Sequence, residues 1–175
     1  MKNGLIYGAV VGVIFSILLL VLHRLVPSLF FGPIQSLIMT FTLAIIAMVL
    51  ACRKEKRELG GTLRFGEGLI TTMVCFAVFN FIYTVVMWAL INYSASAFEL
   101  LTETSRSSAE AMLRMANTPE DAIFEQMEQI NALTSETKKL GVNLINWAVM
   151  ILFPGAPIAL IIAGIMSRKT NIEKT

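Results

Sequence analysis

SASAFELLTETSRSSAEAMLRMANTPEDAIFEQMEQINALTSETKKL, residues 94–140, is the one long polar stretch in a chain of 175 residues. It holds Glu99, Glu103, Glu110, Glu120, Asp121, Glu125, Glu128 and Glu136, eight of the twelve acidic residues. Apolar segments flank it on both sides. From Ala97 onward, Phe98, Leu101, Ser105, Ser108, Met112 and Met115 recur at three- and four-residue steps, which is one face of a helix. Asn117-Thr118-Pro119-Glu120-Asp121 signals a restart. Thr118 is suited to cap, Pro119 to the first helical position, and two acids to the positive helix end. Ile123, Met127, Ile130, Leu133, Thr137 and Leu140 then continue at helical spacing. Two helices of about 22 residues, each about 33 Å long at 1.5 Å per residue, can shield their apolar stripes as an antiparallel hairpin.

Outside this stretch the chain reads as membrane anchor. Apolar residues make up 56% and charged residues 15% of the sequence, against about 25% charged in a soluble domain. The charges are clustered and leave four apolar runs, at about 4–22, 34–52, 65–91 and 141–166, each about long enough to cross a bilayer. The predicted fold is all-α: one integral membrane domain, a four-helix transmembrane bundle, with the hairpin at 94–140 extending spans three and four. No Pro interrupts the chain between Phe65 and Asn117, so span three is expected to run into the first outer helix as one rod.

Orientation follows from the basic residues. Arg53-Lys54-Glu55-Lys56-Arg57-Glu58 closes the second span, Gly60-Gly61 breaks the helix, and Arg64 ends the loop. Short, positively charged loops stay in the cytoplasm. Lys2, Arg168, Lys169 and Lys174 agree, which puts both termini in the cytoplasm of a multi-pass inner-membrane protein. Arg24, Arg106, Arg114, Lys138 and Lys139 are left outside. The loop is also a candidate for contact with anionic lipid. Trp88 and Trp147 are expected at one interfacial depth. A short turn is expected at Val26–Pro33, and a proline kink at Phe153-Pro154-Gly155-Ala156-Pro157.

Small residues predict the packing. Gly4, Gly8, Gly12 and Ser16 form one stripe, and Gly155, Ala159 and Ala163 another, where a neighbouring backbone approaches closely. The simplest arrangement sets the two stripes face to face, bringing spans one and four together.

The N-terminal Gly-spaced helix, the basic loop leading into Gly60-Gly61-Thr62-Leu63-Arg64-Phe65, the third span and the long polar segment before a last helix resemble an uncharacterised bacterial membrane family, domain of unknown function 4199. The resemblance covers most of the chain, apart from the Phe153–Pro157 break. It implies a Bacteroidota-type membrane protein and brings no functional residues with it.

Chemistry-bearing residues are sparse. His23 is the single histidine and sits beside Arg24 at a span end. Cys52 and Cys75 have neither zinc-site nor disulfide spacing. No nucleophile, base and acid set can be assembled, so an enzyme, a cofactor and a metal are not expected, and no clustered basic surface with groove-reading elements suggests nucleic acid. An intramembrane ionisable residue is a functional hypothesis, which singles out Glu67, with Asn80, as a candidate polar site for a small transporter or channel component. The leading expectation is a non-catalytic accessory subunit. Its hairpin would meet another membrane or periplasmic protein, or a second copy of the chain, through Phe98, Leu101, Met112, Met115, Ile123, Met127 and Ile130.

Overall fold

A computed structural model describes residues 1–25 and 33–167. All the regular structure in it is helical: α1 (Lys2–Leu25), α2 (Pro33–Glu58), α3 (Phe65–Tyr93), α4 (Ala95–Met115), α5 (Glu120–Glu136), α6 (Leu140–Met150), a π-helical turn (Ile151–Gly155) and α7 (Ala156–Met166). The basic tail residues Arg168, Lys169 and Lys174 lie outside the described residues. So does the turn expected at Val26–Pro33, except for Pro33 itself, where α2 begins. Among the described residues, three helical runs are long and apolar enough to cross a membrane: Lys2–Leu25, Phe65–Tyr93 and Leu140–Met166. Only 28%, 28% and 22% of their most apolar windows are buried within the protein. Large aliphatic side chains such as Ile14, Ile17, Ile70, Leu152 and Ile161 are exposed, as lipid contact requires and water disfavours. This is a membrane protein.

The chain divides into two compact units. One comprises Met1–Ser16, Phe41–Tyr83 and the residues from Trp147 onward; the other comprises Ile17–Thr40 and Thr84–Asn146.

The first unit is built around α3, a helix with no polar face. Such a helix can be covered on several sides. Gly4, Gly8 and Gly12 of α1 lie against Thr71, Cys75 and Phe79 of α3. Both sets advance together along the chain, so α1 and α3 run parallel. A Cβ on Gly4 would stand 2.4 Å from the Thr71 carbonyl oxygen. Ser16 donates its hydroxyl to the Gly12 carbonyl at 2.8 Å, which satisfies it within α1.

On another side of α3 the register runs the opposite way. Gly68 lies against Ala163, the Thr72 hydroxyl is 3.4 Å from the Ala159 carbonyl oxygen, and Gly155 lies against the Phe76 ring. α7 is therefore antiparallel to α3. The two small-residue stripes do not pair with each other; each receives α3. Each stripe takes in what α3 presents: the Thr71 and Cys75 backbone in front of Gly4 and Gly8, and the Phe76 ring in front of Gly155. The core is completed by Ala44, Ala47, Met48, Ala51 and Cys52 of α2 and by stacked rings at Phe15–Phe79 and Phe41–Phe76.

Pro154 lacks an N–H and cannot continue an α-helical ladder. The backbone widens there into the π-helical turn, in which the Ala156 N–H reaches back to the Ile151 carbonyl. One extra residue is absorbed and the helix continues.

In the second unit, α3 and α4 are separate helices. Ser94 is extended (φ −124°, ψ 108°), and its hydroxyl oxygen accepts the Ala97 N–H at 3.3 Å. The uninterrupted rod expected from the absence of proline is thus broken at Ser94, because a serine side chain can cap a new helix. α4 ends in a Schellman motif: Asn117 takes φ 54°, its N–H reaches the Arg114 carbonyl, and the Thr118 N–H reaches the Leu113 carbonyl. Pro119 precedes α5 and carries no side-chain cap. Thr118 does not cap and Pro119 is not the first helical residue, because the Schellman turn has already taken the Thr118 backbone.

Candidate functional site

The two places where polar chemistry is concentrated lie one in each unit. In the first unit it is the charged end of α2. The run Arg53–Glu58 is still helical and closes on Gly60 and Gly61, at φ 73° and 91°. Positive φ is what C-terminal helix caps demand of glycine.

Helical spacing sends the six side chains in different directions. Glu55 and Glu58 both reach the buried Asn3, whose amide nitrogen donates to each carboxylate at 2.7 Å. Lys54 sits 3.4 Å from Glu58. The Glu58 carboxyl is held below its usual range, first by the Asn3 hydrogen bond, against a smaller opposing effect of burial, and then by Lys54 and the charge of Lys2. Lys56 donates to the Met166 carbonyl at 3.2 Å. Acids therefore meet the start of α1 and a cation meets the end of α7, which is the pairing that helix dipoles favour. The starts of α1 and α3 and the ends of α2 and α7 are joined at this end, the last link being the Cys52 thiol 3.7 Å from the Gly68 carbonyl oxygen.

Sequence reasoning read this run as an orientation signal and missed its contacts with Asn3 and Met166. Asn3 was the available clue: a lone amide at the head of an apolar helix needs a partner.

The structure does not bring Glu67 and Asn80 together. The Glu67 carboxylate accepts the Arg64 backbone N–H at 3.0 Å, the reciprocal half of a capping box at the start of α3. Asn80 is buried and thirteen positions further along the same helix, about 20 Å at 1.5 Å per residue. The buried Thr71 hydroxyl has no hydrogen-bond partner among the described residues.

In the second unit α4 and α5 pack against each other. Arg114 ties their ends, at 3.0 Å from Glu110 and 3.8 Å from Glu120. Ile123 and Met127 are buried between the helices, while Phe98, Leu101 and Ile130 are half-buried. Met112 and Met115 are 69% and 76% exposed, and so are Phe124 at 77% and Leu133 at 68%. The expected apolar face thus divides. Its α5 members Ile123 and Met127 are used internally, and four large apolar side chains are left in the open. Phe124 was missed because it lies off the stripe by one residue. A cleft of about 350 Å³ runs between Arg106, Glu110, Arg114, Phe124, Met127 and Asn131.

The base of this pair is tied to α3. Trp88 and Asn92 both donate to the Lys138 carbonyl, at 3.0 and 3.3 Å. The Lys138 ammonium lies 3.8 Å from the centre of the Phe98 ring, and Asn143 donates to the Thr137 carbonyl at 2.6 Å. Trp147, in the first unit, donates to the Ala77 carbonyl at 3.0 Å and meets Phe81 edge to face.

Among the described residues no group of three or more His, Cys, Asp or Glu side chains is placed to hold a metal ion. No curated protein and no solved structure matches the chain. A family model described as protein of unknown function (DUF4199) matches residues 2–168. That match takes in α1, the basic turn, α3, the α4–α5 pair and the last helix, and with it the chain belongs to the DUF4199 family.

Proposed function

We propose that this chain is a non-catalytic, four-span protein of the bacterial inner membrane, and that α4 and α5 form an extracytoplasmic helical hairpin that docks another membrane or periplasmic protein. The observation that carries the reading is the exposure of Met112, Met115, Phe124 and Leu133 on a helix pair whose other exposed side chains are charged, polar or small. Two helices joined only to connect spans have no use for four such side chains in the open, and methionines adapt to varied partners. α2 is the fourth span: residues 34–52 are uncharged, and Arg53–Glu58 follow at the end that also holds the start of α1 and the end of α7. Alternating crossings require that grouping. Basic residues at this end favour the cytoplasm, and the acid-rich α4–α5 pair then faces the other side.

Site-specific photocrosslinking in intact membranes tests the docking. A crosslinking residue at Phe124 or Leu133 is expected to give a discrete adduct, and one at Ser107 none. Adducts of equal yield at all three positions, or none at any, would remove the partner reading. An adduct of twice the chain's mass would name a second copy as the partner. Orientation is read separately, from labelling of Ser107→Cys by a membrane-impermeant maleimide in intact spheroplasts. The native Cys52 and Cys75 are buried.

A further inference from the structure

Among the described residues, Arg53 and Arg57 are the two members of the charged run without a side-chain partner. Glu55 and Glu58 are drawn to Asn3, Lys54 to Glu58, and Lys56 to the end of α7. Arg53 and Arg57 are exposed and, among the described residues, have no ion-pair partner. Four positions apart, they are neighbours on one helix face. That face continues upward in the same stripe: Leu50 is 39% exposed and Ile46 47% exposed. The steps from Ile46 to Leu50, Arg53 and Arg57 are four, three and four residues, one side of α2 opposite the buried Ala44, Ala51 and Cys52. An exposed apolar stripe therefore ends in two guanidiniums that are unpaired among the described residues. The two arginines lie about 4.5 and 10.5 Å beyond Leu50 at 1.5 Å per residue, which brackets a headgroup layer of about 5–8 Å above the hydrocarbon.

We propose that this stripe of α2 binds an anionic phospholipid, with acyl chain along Ile46 and Leu50 and headgroup phosphate held by Arg53 and Arg57. The occupant follows from the order of the chemistry along the helix. Planar guanidinium groups match phosphate oxygens in a forked geometry. A soluble anion would leave the apolar half of the stripe without a partner. The inference rests on the reading of α2 as a span.

The test uses the full chain purified in neutral detergent. Its thermal midpoint is followed while phosphatidylglycerol, phosphatidylcholine or inorganic phosphate is titrated in. Phosphatidylglycerol is expected to raise the midpoint saturably and the other two are not. In Arg53→Gln/Arg57→Gln the response should require about 30-fold more lipid, at about 1 kcal/mol for each basic residue near an anionic surface. Lys54→Gln, whose partner is Glu58, should respond as the wild type does, and Arg53→Lys/Arg57→Lys should recover part of the response. An unchanged titration in the double glutamine variant overturns the proposal. An equal effect of inorganic phosphate assigns a general anion site, and an equal effect of phosphatidylcholine removes the role of charge; either also overturns it. The span reading is checked apart from this by maleimide labelling of Arg57→Cys in inverted vesicles and intact spheroplasts. Labelling only from the outside refutes the cytoplasmic placement and leaves the lipid titration to stand or fall by itself.

Discussion

Gly8 packs so closely on α3 that a Cβ built there would stand 2.5 Å from the Cys75 carbonyl oxygen. Backbone lies on both sides of that contact, so no side chain can rotate away. Gly8→Ala must separate α1 from α3, and overpacking of this kind costs about 1–3 kcal/mol. Gly164, also helical, has nothing within 4 Å, so Gly164→Ala is expected to be neutral. Unfolding midpoints of the two variants in detergent check this, and equal midpoints would contradict the α1–α3 contact.

The Phe76 ring fills the space in front of Gly155, 2.5 Å from where a Cβ would be. Gly155→Ala is therefore expected to destabilise, and Phe76→Leu to relieve part of the clash. The double variant should be more stable than the sum of the single changes implies, by a coupling of about 0.5–3 kcal/mol. Additive effects would separate the two residues.

The carboxyl of Glu58 binds its proton less readily in the folded chain than its ordinary value of 4.5 implies, chiefly because Asn3 donates to the ionised form. A depressed folded value means stability that is present above about pH 4.5 and is lost as pH falls through the lower, folded value. Melting curves between pH 7 and 3 should fall less steeply for Glu58→Gln than for the wild type. Identical slopes would mean that Asn3 does not hold the ionised form.

Removing the hydroxyl in Ser94→Ala leaves the Ala97 N–H without its cap, at a cost of about 1 kcal/mol. Because the loss is local, the amides of Ala95–Phe98 should exchange hydrogen faster while those in the middle of α3 keep their protection. Uniform acceleration would show that α3 and α4 open as one.

Glu67 spends its carboxylate on the Arg64 N–H, and Gln at that position can make the same bond. Liposomes carrying wild type or Glu67→Gln are expected to show the same background ion flux. A flux that the substitution abolishes would restore a transport reading.

The helices were legible because their signals are local. Apolar run lengths marked α1, α3 and the last helix, and charge marked the paired α4 and α5. What the sequence could not give was partnership. The Gly4–Gly12 and Gly155–Ala163 stripes have the same spacing, and nothing in either says which neighbour fills it. The answer lay in the evenly apolar surface of α3, a property of the receiver. Ser94 was overlooked because a serine among Ala95, Ser96 and Ala97 looks like an ordinary helix residue until its backbone turns extended. Arg53–Glu58 read as one block of charge because helical rotation, which sends neighbours to different partners, is invisible in a linear count.

The π-helical turn at Ile151–Gly155 has a consequence for how the last helix can vary. One residue more than an α-helical ladder needs shifts the residues just before the turn by about 100° relative to those just after it, at 3.6 residues per turn. α6 and α7 are therefore set in different phases. The half from Gly155 onward is held to α3 by its small residues, whereas the half before it reaches α3 through Trp147, whose indole donates to the Ala77 carbonyl. The last helix is thus fastened to α3 by two different chemistries, small residues after the turn and an indole before it, so a change of one kind leaves the other in place.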